Sequence, residues 1–136
     1  MWDSAAEAER WRRTAEDDLK FARLALEAGF PHKACFNAQQ AGEMAIKAVA
    51  YGLGERVVLG HSIAELVKRY ADRVPGLGDL SGDAGLLDQY YVPTRYPNGL
   101  PGGVPSESYG EAQAASAIDA AERLLHFAAS YRSSTS

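Results

Sequence analysis

Residues 34–48 read Ala34-Cys35-Phe36-Asn37-Ala38-Gln39-Gln40-Ala41-Gly42-Glu43-Met44-Ala45-Ile46-Lys47-Ala48. Ala34, Ala38, Ala41, Ala45 and Ala48 recur at spacings of 4, 3, 4 and 3. On an α-helix that spacing places all five on one side. A seam of small side chains lets another helix approach closely, and Met44 and Ile46 add bulk beside it. The helix is expected from about 31 to 52: Pro31 suits its first position, and Gly52 and Gly54 stop it.

Upstream, residues 3–28 contain no Gly or Pro and are rich in strong helix formers. Trp11, Ala15, Leu19, Ala22 and Leu26 form one apolar stripe, and Gly29 closes that helix. Downstream, Ser62 followed by Glu65 reads as a capping box that opens a third helix, with Ile63, Leu66, Val67 and Tyr70 on its apolar side. Pro75 and the glycines at 76 and 78 end it. A shorter helix is expected over 80–91, with Leu80, Ala84, Leu87 and Tyr91 inward. Residues 92–105 hold four prolines and three glycines, which excludes a helix or a central strand and predicts a long loop. A last helix is expected over about 107–131, where Ala114, Ile118, Ala121, Leu125 and Ala128 repeat the 4, 3, 4, 3 spacing. No segment alternates with period two for long enough to be a strand. The expected fold is all-α: an antiparallel, up-and-down bundle of about five helices in one domain, 1–132, with 133–136 as a disordered tail.

The bulk properties narrow the function classes. With 136 residues and 46% apolar composition, one domain with a real core is expected. A net charge of -4 argues against a sequence-independent duplex binder, which needs surplus cations to displace counterions. Cys35 is the only cysteine, so no internal disulfide forms and a reducing compartment is expected. No apolar run approaches the roughly 20 residues of a membrane span, and the acidic start Met1-Trp2-Asp3-Ser4 lacks signal-peptide features. A cytoplasmic location is the expectation. The three histidines and single cysteine have no metal-ligand spacing, so neither a metal nor another cofactor is expected.

Several segments together resemble the HEPN family, whose name refers to a nucleotide-binding domain of higher eukaryotes and prokaryotes. They are Glu16-Asp17-Asp18-Leu19 with Ala22, the 34–48 stretch, Gly60-His61-Ser62-Ile63 with Leu66, and Leu87-Asp88-Gln89-Tyr90-Tyr91-Val92-Pro93-Thr94-Arg95-Tyr96-Pro97. The second is similar to the family's A-x-F-x-A-Q-Q-A-x-E-K-x-L-K-A helix. The resemblance implies a five-helix bundle, dimerisation through helix faces and a ligand site near the dimer cleft. It also implies a minimal nucleotidyltransferase as protein partner, in a toxin–antitoxin-like pair. Many members are metal-independent ribonucleases with a late Arg-x4-6-His motif. Here Arg95 is followed by Tyr-Pro-Asn-Gly-Leu-Pro and no His. Arg56 and His61 do have the x4 spacing, but in the loop between the second and third helices.

The candidate residues each have a functional and a structural reading. Arg95, flanked by Tyr90, Tyr91 and Tyr96, offers a planar cation for phosphate and rings for a base; alternatively it pairs with Asp88 or caps a helix end while the tyrosines fill the core. Gln39, Glu43 and Lys47 lie at i, i+4 and i+8 and share a helix face. That face is either solvated or lines the ligand cleft. His61 can contact phosphate or shuttle a proton, or it packs across its turn or hydrogen-bonds a loop carbonyl. Three functions compete. The first is a nucleotide- or RNA-binding module, with phosphate on Arg95 and Lys47 and a base on Tyr96 or Tyr91. The second is a metal-independent endoribonuclease using Arg95 and His61. The third is a non-catalytic dimeric interaction protein built on the alanine seams.

Overall fold

A computed structural model describes residues 2–91 and 100–135, with side chains through residue 131. Asp3 caps the first helix, α1 (Ser4–Glu27), by accepting a hydrogen bond from the Ala6 N–H at 3.0 Å. After a three-residue turn through Gly29, α2 (Pro31–Gly52) runs back along it with Pro31 in its first turn. The pair forms a hairpin: Trp11, near the start of α1, stacks on Tyr51, near the end of α2, with ring centroids 4.9 Å apart. Helix α3 (Ile63–Tyr70) follows, then a 3₁₀ turn (Leu77–Leu80), α4 (Ser81–Asp88), a single turn α5 (Pro105–Ser108), and the long α6 (Glu111–Thr135). No strand occurs among the described residues, so the all-α bundle expected from the sequence is found.

The boundaries differ from the sequence reading in instructive places. The helix expected over 80–91 ends at Asp88, followed by a turn at Gln89 and Tyr90. The helix expected over 107–131 is interrupted at Tyr109, which is extended (φ -123°, ψ 133°) and separates the turn α5 from α6. Helix α6 also takes in Ser133–Thr135, placed in a tail from sequence.

Helix α2 is the axis of the bundle. Fifteen of its 22 residues are buried, on every side, because α1, α3, α4 and α6 all pack against it. The five alanines of the seam are at most 3% exposed. Gly42 is required by packing: a Cβ there would stand 2.7 Å from Leu87 Cδ1, 2.9 Å from Leu124 Cδ1 and 3.1 Å from Ile63 Cδ1. Cys35 is fully enclosed, and burial pushes its thiol up to about 12, which makes it a small apolar core residue and not a nucleophile.

Candidate functional site

The side of α2 opposite the alanine seam carries Gln39, Glu43 and Lys47, and it is not solvated. Gln39 is 0%, Glu43 1% and Lys47 5% exposed. Burying a carboxylate and an ammonium costs several kcal/mol per ion unless the pair is close and its remaining hydrogen-bonding groups are met. The geometry supplies both. Lys47 Nζ lies 3.0 Å from Glu43 Oε2, Gln39 Nε2 donates to Glu43 Oε1 at 3.2 Å, and Gln40 Nε2 donates to Gln39 Oε1 at 2.7 Å. Lys47 Nζ also sits over the Trp11 ring, 5.8 Å from its centroid, so an aromatic face shares the ammonium with the carboxylate.

The same carboxylate reaches outward. His61 Nδ1 lies 3.2 Å from Glu43 Oε2. The His61 side chain is 59% exposed, which directs the ring from a buried anion toward solvent. Tyr91 stacks against it, centroids 4.9 Å apart and planes within 17°. Phe36 lies behind Tyr91 at 6.5 Å. His61 is held by its loop: Tyr51 Oη accepts from the Val58 N–H (3.1 Å), Arg69 donates to the Leu59 carbonyl (3.2 Å), and Gln39 donates to the His61 carbonyl (3.4 Å).

Asp88 fixes the other flank. Its carboxylate accepts from the N–H of Ile63 (2.7 Å) and Ala64 (3.0 Å) and from the Ser62 hydroxyl (2.8 Å). Ser62 Oγ in turn accepts from the Glu65 N–H at 3.1 Å, as its cap reading expects. A helix that starts right after His61 is thereby tied to the helix that ends just before Tyr91.

The structure thus brings together Gln39, Glu43, Lys47, His61 and Tyr91, drawn from three separate stretches of chain. Arg95 and Tyr96 lie outside the described residues. Two contributors were not singled out from sequence. Trp11 had been placed only in an apolar stripe. Asp18 is half-buried on α1, and its carboxyl is pushed up to about 6 by burial, then by the charges of Asp17 and Glu43. Its signal was an Asp at a position expected to border the apolar stripe. His32 is buried in the core, where desolvation and Lys33 lower its pKa, and His126 is exposed. Two surface grooves, of about 570 and 580 Å³, lie along α1 and against α6; Trp11 lines the first, and none of Gln39, Glu43, Lys47, His61 or Tyr91 lines either. Among the described residues no group of three or more His, Cys, Asp or Glu is arranged to hold a metal ion, and no helix is long and apolar enough to cross a membrane.

A helical bundle with a polar centre buried on its middle helix and opened to solvent through one histidine is the class that this fold and site define. The chain belongs to the HEPN domain family, whose model matches residues 8–131. Among solved structures it is similar to TT1696 from Thermus thermophilus, with 37% identity, a TM-score of 0.86, and coverage of 91% of this chain and 97% of that one. It is similar to ST0689, an archaeal HEPN homologue, at 34% identity and a TM-score of 0.77, over 92% and 97% of the two chains. An HEPN domain protein of Thermotoga maritima, TM0613, aligns at 30% identity and a TM-score of 0.70, over 89% and 95%. No curated protein matches the chain.

Proposed function

We propose that this chain is a nucleotide- or RNA-binding module whose ligand sits on the exposed His61–Tyr91 stack. It would act in the cytoplasm as a homodimer or higher homo-oligomer, as the HEPN member of a toxin–antitoxin-like pair with a minimal nucleotidyltransferase. The observation that carries the reading is the convergence of Gln39, Lys47 and His61 on one buried carboxylate, Glu43. An ion pair this deep is weak as a stability device. Membership in the HEPN family supports the ligand class.

In this reading Lys47 is the internal counter-ion of Glu43 rather than a direct phosphate ligand, because it is enclosed and already paired. Glu43 holds the His61 ring by Nδ1, which leaves Nε2 for the ligand. Tyr91 and the imidazole supply the flat surface for a base, and Arg95 and Tyr96 belong to the same stretch of sequence as Tyr91. Isothermal titration with ATP, other mononucleotides and a short RNA, run alongside His61→Ala, Tyr91→Ala and Arg95→Ala, tests it. Loss of one stacking partner is expected to weaken binding about tenfold, since base–aromatic stacking contributes about 1–3 kcal/mol. Equal affinity in all three variants would refute the reading.

A second reading, the metal-independent endoribonuclease, is favoured by one observation. A carboxylate 3.2 Å from the imidazole Nδ1 orients the ring so that Nε2 can act as general base or acid. Cleavage of labelled RNA in the presence of EDTA, abolished by His61→Ala and diminished by Glu43→Gln, is the expected result on that reading. An intact substrate with the wild-type protein counts against it.

A further inference from the structure

The loop that delivers His61 has a second surface. Val58 turns inward and is 4% exposed, while its neighbours Val57 and Leu59 turn out, at 66% and 72%. At the far end of the loop the Arg56 guanidinium lies 4.9 Å from the centroid of the Trp2 ring. At the near end His61 stacks on Tyr91. Cations come up along the same stretch from α3 and the turn after it. Arg69 donates one N–H to the Leu59 carbonyl, and Arg73 pairs with Glu55 at 3.3 Å. Lys68 is exposed on the same helix. The chain carries -4 overall, yet residues 55–73 hold four Lys and Arg against three carboxylates.

We propose that this strip is a track for a single strand of nucleic acid that continues from the His61–Tyr91 stack toward Trp2. The ligand of the site is then an oligonucleotide and not a mononucleotide. The inference rests on the reading of the His61 site given above and names its substrate class. Arginines that follow a backbone, alternating with flat or apolar groups that bases can cover, are the elements of single-strand binding. Arg69 and Arg56 are both held in place, one by a carbonyl and one by a ring, so little side-chain freedom is lost when a phosphate arrives. Six residue steps from 55 to 61 reach at most about 20 Å.

The test uses the full chain, a fluorescein-labelled 12-nucleotide oligouridine RNA read by anisotropy, and UMP read by calorimetry. The variant is Arg56→Ala with Lys68→Gln, which removes two exposed cations of the strip and leaves the Arg69 bond to the Leu59 carbonyl in place. The wild type is expected to bind the oligomer more tightly than UMP. The double variant is expected to bind the oligomer about tenfold more weakly, with the salt-dependence slope reduced by about 1.4, or about 0.7 per lost cation. Its UMP binding and melting temperature should be unchanged. Unchanged oligomer affinity and slope in this variant would overturn the track while leaving the His61 reading intact. Conversely, UMP binding that is indifferent to His61→Ala and Tyr91→Ala, with oligomer binding still lost in the double variant, sinks the His61 reading and supports the strip alone.

Discussion

Along α2, the side formed by Ala34, Ala38, Ala41, Ala45 and Ala48 and the side formed by Gln39, Glu43 and Lys47 are equally dry, with every one of these side chains at most 5% exposed. They are dry for different reasons. The alanine side excludes water because neighbouring helices come close enough to leave no room for it, and size alone sets the fit. The polar side excludes water because each charge has a partner in reach, and matching of charges sets the fit. One helix therefore carries a face on which added volume is the sharpest constraint and a face on which an unpaired charge is.

The sharpest way to break this contrast is Glu43→Ala. It strands Lys47 in the interior, and removing one partner of a buried pair costs about 3–5 kcal/mol. Replacing Glu43 and Lys47 together by leucine should restore most of that loss while leaving ligand binding abolished. Denaturant unfolding of the three proteins checks the stabilities and nucleotide titration the binding, and a double variant as unstable as the single one would contradict the contrast. Next in size is Gly42→Leu, beside the seam. Leu87, Leu124 and Ile63 already occupy the space a side chain would take, so overpacking should cost about 3 kcal/mol or more. Gly42→Ala should cost less, because the better helix propensity of alanine returns about 1 kcal/mol. Melting temperatures that rise in the leucine variant would show that the seam is loosely packed.

The smallest effect concerns Asp18 at the edge of the polar side. Its carboxyl is pushed up to about 6 from 3.8, so the folded protein holds that proton more tightly than the unfolded chain does. The sign follows from linkage: stability from this group is full below about pH 4, declines as pH rises, and is lost above about pH 6. Asp18→Asn should therefore match the wild type near pH 4 and melt at a higher temperature near pH 7. A variant that is less stable at pH 7 would mean that the carboxylate has a favourable partner there.

The helices that position the site were readable from periodicity. The alanine seam predicted that α2 is a contact surface, and Ser62 predicted where α3 starts. Shared spacing placed Gln39, Glu43 and Lys47 on one face, but spacing cannot say what covers a face. That information sits in Trp11, His61 and Tyr91, which reach α2 only after the chain has folded back. The Asp88 cap was invisible for the same reason: its carboxylate serves residues 24 to 26 positions away. The interruption at Tyr109 was missed because Tyr109-Gly110 lies inside an otherwise good helical pattern, and a lone glycine there is a weak break signal. Arg95 and Tyr96, given the largest part in the sequence reading, fall outside the described residues.

The Asp88 carboxylate has a consequence for cooperativity. Helices α3 and α4 have eight residues each, well below the length of about 12–15 at which an isolated helix becomes marginal in water. Neither is a folding unit by itself. With the last residue of α4 closing the first turn of α3, the two short helices are expected to melt together. His61 stands immediately before the turn that Asp88 closes. The population in which His61 faces Glu43 is therefore bounded by the population in which α4 is formed. A substitution that loosens α4 is then expected to lower the occupancy of the His61–Glu43 contact.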